Sequence, residues 1–299
     1  MFILLLLLVI IEIILTFIVG VTHRPLYQKH PTIEYILKPN QKLMRFGNNY
    51  IINQYGMRSA DFPKDYYSAN KLRVMVFGDS IANGGTRLDQ SEIATSILQR
   101  QLTAQGYNAY VGNVSAGSWG PENILEYIKI YGTFKADIAI LVLSSHDAFD
   151  VPTFETLDQN SHPTTRPIFS LEFLFNKYVS KPTVELTKNK ITKQKLEKIF
   201  KQKENKQLTE LLTLLTSTVN KVVVVHHLSK NELITKTTTL ASKIITSTCK
   251  RVVSNCIDTQ DYYKKFNYKN SKFYFDNLHL ASDGQAVLAS LFVDNVMLN

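Results

Sequence analysis

Cysteine and tryptophan are scarce in this chain of 299 residues, which has two of the first and one of the second. The cysteines, Cys249 and Cys256 in CKRVVSNC, form neither a C-x-x-C motif nor the paired-ligand spacing of a zinc site, so a thiol redox centre and a structural zinc are excluded. They are expected to stay as two unpaired thiols, although an oxidising compartment would let them join across a helix-to-strand connection. There is no internal repeat and no low-complexity tract, which excludes solenoids and disordered scaffolds. The strained nucleophile elbow G-x-S-x-G is also missing. No Lys or Arg precedes the apolar N-terminus and no small-x-small cleavage site follows it, so a secretory signal peptide is disfavoured. Despite a net charge of +9, neither zinc-finger spacing nor an aromatic-basic motif is present, and no nucleic-acid partner is expected.

The charge itself is concentrated. Eight lysines lie between Lys188 and Lys206 in TKNKITKQKLEKIFKQKENK, with Glu197 and Glu204 among them. A solvated helix face is the expectation, over a patch facing anionic lipid or an acidic polymer. At the N-terminus, MFILLLLLVIIEIILTFIVGV carries Glu12 as its only charged side chain. An apolar run of about twenty residues is what a bilayer-spanning helix needs. Residues 1–21 are therefore expected to be an uncleaved transmembrane anchor. His23, Arg24 and Lys29 then pull the downstream side toward the cytoplasm by the positive-inside rule.

Residues 22–70 form a lead-in segment rich in prolines and aromatics, with HPTIEYILKPNQ and NNYIINQYGMRS suggesting short strands and turns against a main domain at 71–299. From Lys71 the pattern turns regular. LRVMVF, NAYVGNV, ADIAILVL, KVVVVHH and VVSNCID read as five strands. Between and after them QSEIATSILQRQLTAQG, PENILEYIKIYG, a stretch from about Lys188 to Asn220, ELITKTTTLASKIITST and SDGQAVLASLFVDNVML read as helices. Residues 151–183, irregular and proline-bearing, look like an insertion over one edge. This alternation predicts a three-layer α/β/α sandwich around a central five-stranded parallel sheet.

In such sheets ligands bind beyond the carboxyl ends of the strands. There the sequence places Gly78-Asp79-Ser80, then Asn113-Val114-Ser115-Ala116-Gly117, then Ser144-Ser145-His146-Asp147, then His226-His227, and finally FDNLHLASDG with Asp276 and His279. A serine hydroxyl becomes a useful nucleophile when an imidazole takes its proton and a carboxylate fixes the imidazole tautomer. Ser80, His279 and Asp276 are that set. Glycines nearby let backbone N–H groups approach an oxyanion, and Gly117 is placed to offer one.

Taken in order, these blocks resemble the SGNH/GDSL hydrolase superfamily over residues 71–298. VFGDSIANGG is similar to its first block, NVSAGSWGPEN to the second and DNLHLASDGQ to the last. The lead-in is similar to that of membrane-anchored bacterial members. The resemblance implies a flavodoxin-like SGNH fold, a Ser80–His279–Asp276 triad and an oxyanion hole from the N–H groups of Ser80 and Gly117. One block departs. The family's Gly-x-Asn-Asp is Ser144-Ser145-His146-Asp147 here, so the usual asparagine donor is replaced by His146, whose ring N–H is a candidate third donor. Asn113 and Asn123 are further candidates for that missing donor.

Asp79, Trp119 and Asp147 are weaker candidates for substrate contacts, Trp119 either stacking on a sugar ring or packing against the sheet. His226 and His227 are expected to be a capped structural pair, and a metal site from His146, His226 and His279 is disfavoured, so no metal and no cofactor are expected. The resemblance implies a serine esterase acting on O-acyl, above all O-acetyl, groups of a cell-envelope carbohydrate, with the catalytic domain periplasmic or extracellular. The alternatives are an O-acyltransferase acting on a surface polysaccharide and a non-catalytic glycan-binding member of the fold. The expected partners are an acylated glycan or small ester and, through the N-terminal helix, a membrane.

Overall fold

The computed structural model describes residues 2–63, 71–179, 206–269 and 272–297. The lysine-rich stretch falls almost wholly outside the described residues, and so does most of the helix expected from Lys188.

Five parallel strands form the central sheet: β5 (Leu72–Gly78), β6 (Ala109–Ser115), β7 (Ile138–Ser144), β8 (Lys221–His227) and β9 (Cys256–Asp258), in the order β6-β5-β7-β8-β9. Four of the five sit within two residues of where the sequence puts them. The fifth is much shorter than VVSNCID implied, because Val252 still belongs to the preceding helix. Successive side chains point to opposite faces, and both faces are covered, so the strands read as unbroken apolar runs. Met75, Phe77, Ala139, Leu141 and Val224 enter one core, while Val74, Val76, Ile140, Val142, Val223 and Val225 enter the other.

On the first face lie α4 (Pro121–Tyr131), α6 (Lys206–Thr218) and α8 (Leu240–Val252); on the second lie α3 (Ala94–Ala104) and α10 (Ser282–Met297). Pro121 opens α4 and Gly132, at φ 76°, closes it, as the sequence suggested. The helix expected over ELITKTTTLASKIITST is two helices. α7 (Lys230–Thr235) stops where Lys236 adopts the left-handed conformation, and Thr239 caps a fresh start by accepting the Ser242 N–H. Three threonines in succession, poor helix formers, make that break inexpensive. A short α9 (Thr259–Lys264) follows β9.

The lead-in forms two hairpins, β1 (Tyr27–His30) with β2 (Glu34–Leu37) and β3 (Gln41–Arg45) with β4 (Asn48–Ile52). Tyr35, Ile36, Leu37, Tyr50 and Ile52 are buried in the first core, so this segment belongs to the domain. The insertion carries α5 (Ser170–Tyr178).

The N-terminus corrects the sequence reading. α1 (Phe2–Ile13) passes into a π-helical turn at Ile14–Ile18, and Gly20, at φ 71°, reverses the chain. Among the described residues no helix is long and apolar enough to cross a membrane. At 1.5 Å per residue the helical stretch spans about 25 Å, against about 30 Å of hydrocarbon. Glu12 is also engaged within the molecule, accepting the backbone N–H groups of Ser170 (2.5 Å) and Leu171 (2.9 Å) at the start of α5. A second correction concerns the cysteines. Cys249, on α8, and Cys256, opening β9, are joined in a disulfide, their Cα atoms 6.0 Å apart. The helix-to-strand turn brings the two side chains together.

Candidate active site

β5 is the topological switch point of the sheet, since the chain leaves it first toward β6 and returns on its other side as β7. The crevice beyond its carboxyl end is where such sheets hold ligands. There α2 (Ser80–Asn83) begins at once, capped by Asp79, whose Oδ1 accepts from the Ile81 N–H at 2.8 Å. α2 passes so close over the sheet that a Cβ on Gly78 would stand 2.8 Å from Ala82 Cβ and 3.0 Å from the Val142 carbonyl. Only glycine fits.

Ser80 Oγ lies 2.9 Å from His279 Nε2, and His279 Nδ1 lies 2.8 Å from Asp276 Oδ2. Asp276 Oδ1 accepts the backbone N–H groups of Leu278 and His279, both at 2.8 Å. Burial pushes its carboxyl up, but those N–H groups and the ring outweigh it and hold it below the usual carboxylate range. An ionised Asp276 keeps the proton of His279 on Nδ1 and leaves Nε2 able to accept from Ser80. The three groups expected from sequence thus meet in one chain of hydrogen bonds, half-exposed at the rim.

The loop carrying Asp276 and His279 is closed by a bridge between Tyr274 and Leu280 and by the Phe275 N–H to the His279 carbonyl (2.8 Å). Its outer side is tied to the end of β8. His227 Nε2 donates to the Leu278 carbonyl (2.9 Å), Tyr274 Oη to the Leu228 carbonyl (2.7 Å), and the Lys230 N–H to the Asn277 carbonyl (2.8 Å). Complete burial drives His227 down to about 4, so its ring stays neutral, with Nδ1 accepting from Tyr263 Oη. His226 bonds Ser145 Oγ and Asp258. The pair is structural, as the sequence suggested.

The lead-in reaches the site in ways the sequence did not show. Tyr50 Oη donates to Asn83 Oδ1 at 2.8 Å. The fully buried Arg58 donates to the carbonyls of Asn83, Gly85 and Leu88, gripping the loop after the nucleophile. Tyr35 Oη donates to the Gly117 carbonyl (2.7 Å), which also receives His162 Nε2 (3.2 Å). That fixes the peptide plane that follows Gly117. No spacing rule links these residues; only the apolar tyrosines in NNYIINQYGMRS and HPTIEYILKPNQ hinted that the segment packs inward.

Other candidates fall elsewhere. Trp119 is 2% exposed, donates Nε1 to the Tyr35 carbonyl and packs on Tyr127, so its ring is core and offers no face to a sugar. Asn113 donates to the Ala82 carbonyl and to Thr95 Oγ1, and Asn123 caps α4 while donating to the Ile33 carbonyl. Both are spent on structure. His146 also departs from its expected role. Its Nδ1 meets Ser144 Oγ at 3.0 Å and its Nε2 faces Asp79, Asp147 and Asp150 at 3.6, 3.9 and 3.8 Å. With Nδ1 on Ser144 and Nε2 facing the acidic cluster, neither nitrogen is left to reach an oxyanion. Asp79 and Asp147 are buried, so they line the cluster and not the substrate surface. Burial, reinforced by the charge of Asp147, pushes Asp79 up to about 8, with His146 opposing; burial and then Asp150 push Asp147 up likewise.

No family model matches the sequence, and no curated protein matches it. Among solved structures the chain is similar to a lipase/acylhydrolase from Enterococcus faecalis, at 15% identity and TM-score 0.47, with 75% of this chain and 95% of that one covered. It is similar to an acetyl xylan esterase from Geobacillus stearothermophilus at 13% identity and TM-score 0.48, covering 76% and 94%. TesA gives 14%, 0.47, 75% and 98%. With TM-scores below 0.5, these likenesses leave the site's own geometry to carry its functional reading.

Proposed function

We propose that the protein is a serine esterase that hydrolyses O-acyl esters, acetyl above all, borne on carbohydrate. The observation that carries this is the hydrogen-bonded chain from Ser80 Oγ through His279 to Asp276 at the switch point of the sheet. In the reaction Ser80 Oγ attacks the ester carbonyl while His279 Nε2 takes its proton, and Asp276 stabilises the imidazolium that forms. The N–H groups of Ser80 and Gly117 are the donors proposed for the tetrahedral oxyanion, each worth about 3 kcal/mol in such a site. His279 then returns the proton to the departing sugar hydroxyl. Water repeats the cycle on the acyl-serine and releases the carboxylic acid.

Two features support the substrate class. His279 and Asp276 have side chains 44% and 51% exposed, an accessible rim suited to an ester carried on a larger molecule. The flank of Ser80 that His146 presents, with Asp79 and Asp147 buried behind its ring, is polar and disfavours a long acyl chain there. The Cys249–Cys256 disulfide supports an oxidising compartment, where envelope glycans are found. The same open rim favours a second reading, in which a sugar hydroxyl replaces water and the acyl group is transferred.

The test treats the full chain with a fluorophosphonate probe and assays 4-nitrophenyl acetate and octanoate, wild type beside Ser80→Ala. Labelling and acetate turnover that vanish in Ser80→Ala are expected. An unlabelled, inactive wild type would overturn the proposal in favour of a binding role. Acetate release that accelerates with added oligosaccharide, with acyl groups recovered on the sugar, would select the transferase reading.

A further inference from the structure

Beside Ser80, but separate from the triad, three side chains converge in a way the esterase chemistry does not use. Asp79 Oδ2, His146 Nε2 and Asp147 Oδ1 all lie within 4.8 Å of one another. Asp79 Oδ2 and Asp147 Oδ1 are buried and receive no hydrogen bond. Two buried carboxylate oxygens left bare is costly, and a native fold keeps such a pair only if something answers it.

The outer atoms of the same groups are all held. Asp79 Oδ1 accepts the Ile81 N–H, and Asp147 Oδ2 accepts the Ser144 N–H (2.6 Å) and Ser144 Oγ–H (2.9 Å). Because that hydroxyl gives its hydrogen to Asp147, its lone pair is open to the His146 ring, and Nδ1 at 3.0 Å, nearer than Nε2 at 3.5 Å, gives it the proton. The tautomer so fixed turns the Nε2 lone pair toward Asp79, Asp147 and Asp150. A lone pair aimed at three carboxylates is repulsive unless a proton or a cation stands between them. Ligating histidines and carboxylates show this same arrangement, one atom tied back to the protein and the other free for the ion.

We propose that Asp79, His146 and Asp147, with Asp150 at the open side, bind one divalent first-row cation such as Mn2+ or Zn2+. One imidazole and two or three carboxylates suit such ions better than Ca2+ or Mg2+, which prefer oxygen alone. Oxygen and nitrogen ligands stand about 2.0–2.2 Å from zinc, so atoms sharing the ion lie up to about 4 Å apart. The separations of 3.6 and 3.9 Å from His146 Nε2 already meet this. The remaining pair, Asp79 with Asp147, needs a contraction of under about 1 Å to share the ion. The ion neutralises the cluster and anchors the loop after β7 to the residue preceding the nucleophile. The rival occupant is a proton shared between the buried carboxyls and Nε2.

The experiment strips the full chain with a chelator, removes the chelator, and titrates it calorimetrically with MnCl2, ZnCl2, CaCl2 and MgCl2. Thermal unfolding is followed in parallel. One Mn2+ or Zn2+ per chain, with a raised Tm, is the expected result. Asp147→Asn and His146→Gln should abolish that binding, and Ser144→Ala, which removes only the supporting hydroxyl, should weaken it about tenfold. His30→Gln, on the first hairpin and outside the cluster, should leave it intact. If Asp147→Asn does not fold, His146→Gln and Ser144→Ala still decide. Absence of stoichiometric binding, or binding unaltered in His146→Gln, would overturn the proposal and leave the proton as the occupant. The readout does not depend on esterase activity, so the two proposals fail separately.

Discussion

At the scale of single residues, Asp276 shows how a carboxylate is kept useful. Two backbone N–H groups and an imidazole surround it, so it stays ionised well below neutral pH and directs the proton of His279 to Nδ1. Asp276→Asn preserves shape but offers an amide where an acceptor is needed, favouring the wrong tautomer. Turnover of 4-nitrophenyl acetate at pH 7 should fall about 10^3–10^4-fold, as in other triads, with circular dichroism unchanged. His227 gives a prediction about stability. Its folded pKa, about 4, lies below the value of about 6.5 in an unfolded chain. Between these values the unfolded chain binds the extra proton, so the stability is complete above pH 6.5 and is lost as pH falls toward 4. The loss from this residue is on the order of 3 kcal/mol. Urea midpoints measured at pH 7 and 4.5 should therefore differ less in His227→Gln than in wild type.

Among elements, the lead-in hairpins matter as much to the site as the strands of the sheet. Arg58 is fully buried, stacks on Tyr50 at 4.1 Å and supplies donors to three carbonyls of the loop after the nucleophile. Arg58→Met would keep the volume but leave those carbonyls bare, costing about 3–5 kcal/mol by chemical denaturation. Esterase activity should fall with it, because that loop bounds α2. At the other end of the site, a Cβ on Gly284 would meet the Phe273 carbonyl at 2.3 Å. Gly284→Ala must push α10 away from the strand-like segment leading to Asp276. A destabilisation of about 1–3 kcal/mol is expected, with the greater relative loss in kcat.

For the whole molecule, the disulfide ties α8 to the edge strand β9, the shortest strand of the sheet. Closing so short a loop restricts the unfolded chain by about 2 kcal/mol in the chain-entropy model. Cys249→Ser with Cys256→Ser should lower the thermal midpoint while leaving fluorophosphonate labelling of Ser80 intact, since both cysteines lie outside the triad. The apolar N-terminal helix is the other global feature. Its side chains from Phe2 to Ile11 are exposed, and its contact with the rest of the chain runs through Glu12 and Thr16 at the start of α5.

The sequence by itself determined the layers. Runs such as LRVMVF and KVVVVHH have no polar face, so they demand a sheet covered on both sides, and the helical periods between them demand parallel connections. It also placed Ser80, Gly117, His146, Asp276 and His279 at one edge, because strand ends are legible from where apolar runs stop. It misjudged the N-terminal helix, because composition signals apolarity but not where a helix ends, and it split neither the threonine-rich helix nor the role of Trp119 from their neighbours. What only the tertiary structure decided were particular side-chain contacts: Tyr35 on Gly117, Arg58 on the nucleophile loop, Cys249 with Cys256, and His146 turned into an acidic cluster. Periodicity tells which face of an element is buried. Which partner waits on that face is set by packing in three dimensions.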